Sequence, residues 1–335
     1  MTCSAGLSST PYQQIDDTGT KVNGENQYVQ ILCNPFYTAF FTVPRKDRLT
    51  VIDLLLCGNK RHYFFNEEAF ELLKVFRVSN KQIVRLRPEI YGKKFDEDQL
   101  KEVLKKLFPN PKKGKNTQTR IKEAGAIAFY YNQTDIPVIQ TLLSDDAPQF
   151  KFITREQALC WIHDGRHYKK LHPLLELHQD QIDNFLEQYW DFYASLLKYK
   201  ENPTPAKSDQ LSKEFDELFS TQTGYEALDE RIAKTKAKKI NLLLVLKYPE
   251  LPLHNNDSEL GARAEKRKQD VSLHTITVEG TNSKNTFLTI AETARKLGVN
   301  AYEYLYDRVS KNFEMPSLAS IIREKSSPTI CLNSS

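Results

Sequence analysis

Apolar and polar positions alternate first at strand spacing. Residues 12–15, 27–33 and 37–43 are β-rich runs, the last two separated by the turn signal Asn34-Pro35, and they predict the first three strands of an antiparallel meander. Pro44 ends the third, and Asp47 is an N-cap for a helix carrying Leu49, Val51, Ile52, Leu54 and Leu55. From about Gly58 the pattern turns helical and polar over residues 66–76 and 96–108, closing on the stretch PNPKKGKNTQT, which predicts an insertion ending in a mobile loop. Residues 121–131 form a helix apolar enough to pack on a sheet, and residues 136–143 an apolar run of strand length. A helix leading into that run predicts a parallel, buried strand. Long helical stretches follow over 178–199 and 211–246, joined by the bend ENPTPAKSDQ. Two closing helices, 287–297 and 302–309, are separated by the C-cap Gly298 and the N-cap Asn300, and the Ser-rich tail beyond Pro316 is expected to fray. There is no internal repeat.

A chain of 335 residues, 40% hydrophobic and 27% charged, can bury a sizeable core and fill two or three structural units. Its longest apolar stretch, 240–246, is interrupted by Asn241 and too short for a bilayer; the first ten residues lack the basic and apolar regions of a signal peptide. A cytoplasmic location is therefore expected. Cys3, Cys33, Cys57, Cys160 and Cys331 are scattered, with no Cys-x-x-Cys pair, so reduced and mostly buried thiols are expected rather than disulfides or a thiolate zinc site. The net charge is only +4, but basic residues are grouped: Lys112, Lys113 and Lys115; Arg231, Lys234, Lys236, Lys238 and Lys239; Arg263, Lys266, Arg267 and Lys268. Such runs suit contacts to a phosphate backbone, although each taken alone is equally a solvated face.

The acids carry the chemistry. Asp16 stands where the first strand should end, Asp145 ends the strand after a helix, and Glu259 lies in the first turn of a helix capped by Asn256 or Asp257. Carboxylates from three separate elements can hold one or two Mg²⁺ ions, which take hard oxygen ligands and stabilise the attacking and leaving oxygens of an in-line displacement. Any one of them alone is more simply a surface carboxylate or a cap. Asp17 and Asp146 are neighbouring rivals.

The residues around the acids are specific. Asp16-Asp17-Thr18, then Asp145-Asp146-Ala147 with Phe150, then Asn255-Asn256-Asp257-Ser258-Glu259 with Arg263 resemble the blocks of the DDE transposases of bacterial insertion sequences, most of all the IS-sixty-six type. Between the second and third lies ALCWIHDGRHYKKL, similar to that family's Cys-Trp-x-His-x-x-Arg block at Cys160, Trp161, His163 and Arg166, and TIAETARKLGVNAYEYLYDRV is similar to its closing helices. Asp17 departs from the family's glutamate, and His254 from its common aspartate.

The resemblance implies an α/β fold, a ribonuclease-H-like mixed five-stranded sheet flanked by helices, with helical insertions. Its core would comprise residues 1–58, 119–172 and 253–312; 59–118 would be an insertion with a basic loop, 173–252 a helical insertion between the second Asp and the Glu, and 313–335 a tail. Asp16, Asp145 and Glu259 would ligate Mg²⁺, with Mn²⁺ as a substitute. Water and then a DNA 3′-hydroxyl would attack a phosphodiester, with no covalent enzyme intermediate. His163, Arg166, Lys169, Lys170, Arg263 and Arg267 would face DNA. Partners would be transposon ends and target DNA, a second copy of the chain and no membrane. Because the first acidic block begins almost at Met1, ahead of any end-binding segment, a truncated frame or a separate end-binding protein is expected. Competing expectations are a DNA-binding remnant without chemistry, or another ribonuclease-H-like nuclease such as a resolvase.

Two further signals are weaker. His163 and His167 share a helix face, but neither a Cys pair nor an acidic base accompanies them, which argues against zinc. Asp17-Thr18-Gly19 is the triplet of aspartic proteases; one chain would need two such triplets and carries one. Trp161 and Tyr168 are expected in the core.

Overall fold

The computed structural model describes residues 2–110 and 114–327. After a short helix α1 (Thr2–Ser8), strands β1 (Tyr12–Val22), β2 (Glu25–Asn34) and β3 (Tyr37–Val43) form the meander, followed by α2 (Arg48–Leu55). Strand β4 (Tyr63–Phe64), helices α3 (Glu67–Val75) and α4 (Asn80–Ile90), strand β5 (Lys94–Phe95) and α5 (Glu97–Leu107) make up the segment expected to be the first insertion. Helix α6 (Lys115–Asn132) leads to β6 (Thr141–Ser144), and β7 (Glu156–Leu159) to α7 (Trp161–Tyr168). Helices α8 (Glu176–Glu201), α9 (Pro205–Leu218), α10 (Glu226–Lys236) and α11 (Lys239–Leu242) then precede α12 (Asn256–Ser272), α13 (Val278–Leu297), α14 (Ala301–Val309) and α15 (Leu318–Ser326).

The five-stranded sheet has the order β3-β2-β1-β6-β7; β2 is antiparallel to both neighbours, while β1, β6 and β7 run parallel. The chain is thus α/β with a mixed sheet flanked by helices. Two strand boundaries differ from expectation. β1 continues to Val22, so Asp16 sits mid-strand rather than at its end: Asn23 and Gly24, both at positive φ (48° and 79°), make the two-residue turn that lets pairing run to Val22 and Glu25. The expected strand 136–143 shrinks to Thr141–Ser144. Pro137 has no N–H to give a ladder, and the Ile136 and Ile139 amides donate instead to Gln133 Oε1 and Tyr130 Oη.

Alternation assigns the faces. Ile15 and its partner Leu32 belong to a core with Val51, Ile52 and Ile127 from α2 and α6. Ile31, paired with Asp16, lies with Val29 and Phe40 under Ala262 of α12 and Leu288 of α13. Gly261 permits that approach, since a Cβ there would come within 2.7 Å of Ile31 Cγ2. The edge strand β3 is covered by α13, where Thr293 and Thr289 hydroxyls accept from the Thr38 and Phe40 amides.

The first inserted region is continuous with the main core: Phe65, Phe70, Leu73 and Leu100 share it with Ile15. Its basic-loop residues Lys112 and Lys113 lie outside the described residues. The second insertion has an aromatic core of its own, in which Tyr189, Phe215 and Phe219 surround Trp161 and Tyr168 of α7, both fully buried as expected. The fraying expected beyond Pro316 is replaced, as far as Ser327, by α15, which buries Leu318, Ala319, Ile321 and Ile322, because this helix has α1 and α13 to pack against; residues 328–335, Cys331 among them, lie outside the described residues. Cys33 and Cys160 are buried free thiols; Cys3 and Cys57, also free, bring their sulfurs to 2.8 Å across α1 and the end of α2. Among the described residues no helix is long and apolar enough to cross a membrane.

Candidate carboxylate site

Parallel pairing sets the first two acids side by side. The last ladder pair is Gln14 with Leu143 and β6 ends at Ser144, so Asp145 follows directly after the strand, on the side of Asp16, whose carboxyl feels its charge. Asp16 Oδ1 accepts only from the Asp17 amide (2.8 Å), and Asp145 Oδ1 from the Ala147 amide (3.0 Å) in a turn of the kind aspartate favours. Neither has a cationic side-chain partner among the described residues. Burial, reinforced by the charges of Asp145, Asp17 and Glu259, pushes the Asp16 carboxyl up to about 7 against the opposing hydrogen bond from the Asp17 amide. The three negative groups therefore lie within electrostatic reach of one another.

The rival acids are otherwise engaged. Asp17, on the opposite face of β1, pairs with Lys46 (3.3 Å) and accepts from Gln149 Nε2 (2.8 Å). Asp146 is bound by Lys151 and Lys238, each at 2.7 Å; burial pushes its carboxyl up, but the two amines hold it below the usual range.

Glu259 arrives on α12. The N-cap of that helix is Asn255 rather than Asn256 or Asp257, and its carbonyl accepts the Glu259 amide (3.1 Å). Because Gly261 rests on Ile31, and Ile31 shares its face with Asp16, the start of α12 overlies the acidic pair. The Glu259 carboxylate turns towards two arginines and a histidine: Arg166 Nη2 lies 3.2 Å from Oε2, Arg263 Nη2 3.7 Å from Oε2, and His163 Nδ1 3.6 Å from Oε1. Among the described residues no three His, Cys, Asp or Glu side chains are close enough together to hold a metal ion. Asp16 and Asp145 suit a hard cation as donors, whereas Glu259, held as it is, does not complete the set.

Beside Asp145 opens a cavity of about 580 Å³, lined by His163, Arg166, His167 and Lys170 of α7 and by Arg231 and Lys238 from the helical insertion. Lys169 ends α7, exposed, while Arg263 and Arg267 project one turn apart on the outer face of α12. His163, Arg166 and Arg263 thus reach Glu259 and neither aspartate; Lys169 and Arg267 make no ion pair among the described residues and lie on the rim.

Sequence reasoning missed two groups. Asp164, nearly fully buried, accepts from Arg231 (2.5 Å) and the Thr235 hydroxyl (2.7 Å), with Lys238 at 3.5 Å, and fastens the insertion to α7. Arg231 and Thr235 lie four apart on α10, a spacing that shows the face but not the acid it would meet. Asn255, also buried, accepts at Oδ1 from His163 Nδ1 (3.1 Å). It stands in the matched block but had been given no role.

No family model and no solved structure matches the chain. The uncharacterized protein y4jO of Sinorhizobium fredii is 30% identical over 324 residues, which cover 96% of this chain and 99% of the relative. On that near-complete overlap, the chain belongs to the same family as y4jO.

Proposed function

We propose that the chain is the catalytic region of a DDE-type transposase, cleaving phosphodiesters and transferring DNA strands with Asp16, Asp145 and Glu259 at a ribonuclease-H-like sheet. The observation that supports this reading is that Asp16 of β1, Asp145 just after β6 and Glu259 of α12 lie within electrostatic reach of one another, the two aspartates with no positive partner among the described residues. Half-buried like charges without a counter-ion are costly, and a divalent cation is a group that would relieve them. When bound, Mg²⁺ would supply charge stabilisation at the attacked phosphorus and the leaving oxygen. The rim cations Arg166, Lys170, Arg263 and Arg267 would position the backbone, and a second copy of the chain would hold the second DNA end.

The test is Mg²⁺-dependent nicking of DNA by the purified chain. Glu259→Gln should lower it more than about a hundredfold, since loss of even an outer-shell partner of a metal site costs roughly 10- to 100-fold. Unchanged activity in that variant sinks the assignment. A second reading, a DNA-binding protein without chemistry, draws on the ion pair that occupies Glu259; binding of DNA with no nicking in Mg²⁺ or Mn²⁺ would favour it.

A further inference from the structure

The Arg166 guanidinium spans two neighbours. Its Nη1 donates to His163 Nε2 (3.2 Å) and its Nη2 to Glu259 Oε2 (3.2 Å). Accepting at Nε2, a neutral His163 carries its proton on Nδ1, and that proton goes to Asn255 Oδ1. Asn255 is fully buried, its amide nitrogen is without a partner among the described residues, and it caps the very helix that carries Glu259. Asn255 and His163 therefore fix the direction from which Arg166 grips Glu259. The consequence is an imbalance. Glu259 has two cationic neighbours, Arg166 and Arg263, with the His163 ring beside them, while Asp16 and Asp145 have none, and no three acids group closely enough to hold a metal ion among the described residues. Arg166 itself is 45% exposed at the side chain and lines the cavity with His167, Lys170, Arg231 and Lys238, so an anion entering there meets its guanidinium.

We propose, resting on the catalytic reading above, that Arg166 is a latch: it holds Glu259 away from Asp16 and Asp145 until a nucleic-acid phosphate in the cavity takes the guanidinium and frees the carboxylate. A planar guanidinium suits a phosphate as well as a carboxylate, so the exchange replaces one charge-assisted pair by another. Asn255 and His163 are positioning residues for it. Linkage makes the device measurable. If phosphate releases Glu259 to the metal, DNA must tighten metal binding by the same factor as metal tightens DNA binding.

The experiment titrates the chain with Mn²⁺, following free ion by its paramagnetic resonance, with and without a short DNA duplex and with duplex alone as blank. In the wild type, duplex should tighten Mn²⁺ by about tenfold, within the usual range of site-to-site coupling. Arg166→Gln should bind Mn²⁺ without DNA about as tightly as the wild type does with it, and lose the coupling. Arg166→Lys, which keeps the charge but not the planar pair of donors, should fall between them. Coupling that survives Arg166→Gln intact would come from direct contact between metal and phosphate and overturns the latch, as does unaltered Mn²⁺ affinity of that variant without DNA. A wild-type chain that binds no Mn²⁺ overturns latch and catalytic reading together. Coupling in a chain that nicks no DNA supports the latch and sinks the catalytic reading alone.

Discussion

Asp164 is a buried acid and Asp16 a half-buried one, and the fold treats them in opposite ways. Asp164 receives an arginine, a lysine and a threonine hydroxyl, all from the helical insertion. Asp16 receives one backbone amide and faces two other acids. The first arrangement closes its electrostatics within the chain and serves as a fastening. The second leaves a deficit that a ligand can fill, and a deficit of this kind is where function is to be sought.

The comparison can be broken at several points. Asp164→Ala should cause the largest loss, about 3 to 5 kcal/mol of unfolding free energy by urea titration, because it strands Arg231 beside Lys238. A loss below about 1 kcal/mol would mean that the fastening lies elsewhere. Next comes the pH dependence of Asp16. Its carboxyl is pushed up to about 7 in the folded chain, against about 3.9 when unfolded. The unfolded state therefore releases its proton first, so the contribution of this group to stability is complete below about pH 4 and is lost as pH rises towards 7. Thermal melting without divalent ions should fall across that window in the wild type and be flatter in Asp16→Asn. Added Mg²⁺ should restore the wild type near pH 7 and leave that variant unmoved. Gly261→Ala should cost about 1 to 3 kcal/mol by denaturant titration, through the clash with Ile31 that pushes α12 off the sheet. Smallest is Asp17→Asn, which loses a half-exposed pair with Lys46 and should cost at most about 1 kcal/mol, with Mg²⁺ stabilisation retained. Loss of the Mg²⁺ response there would move the ligand role from Asp16 to its neighbour.

Much of the frame was legible in the chain. The meander, the helix after Asp47 and the parallel strand after a helix follow from alternation, capping and Pro44, all local signals. The length of β1 is legible too, in the turn signal Asn23-Gly24. The α15 helix was not, since a short Ser-rich segment gains helical order only from the α1 and α13 surfaces it covers. Among the site residues, the acids were visible through their neighbours in sequence, which leaned towards Asp16 and Asp145 without fixing the choice. Lys46 and Gln149 in one case, and Lys151 and Lys238 in the other, come from elsewhere in the chain and engage Asp17 and Asp146.

By itself, then, the sequence determined most of the elements and which blocks carry the acids, because periodicity, caps and turns act within a few residues. Only the tertiary structure decided which carboxylates are neutralised and which are left in want of a cation. Asp164 finds Arg231 67 positions away, and Glu259 finds Arg166 93 positions away. Charge balance depends on distance in space, and no local pattern encodes that.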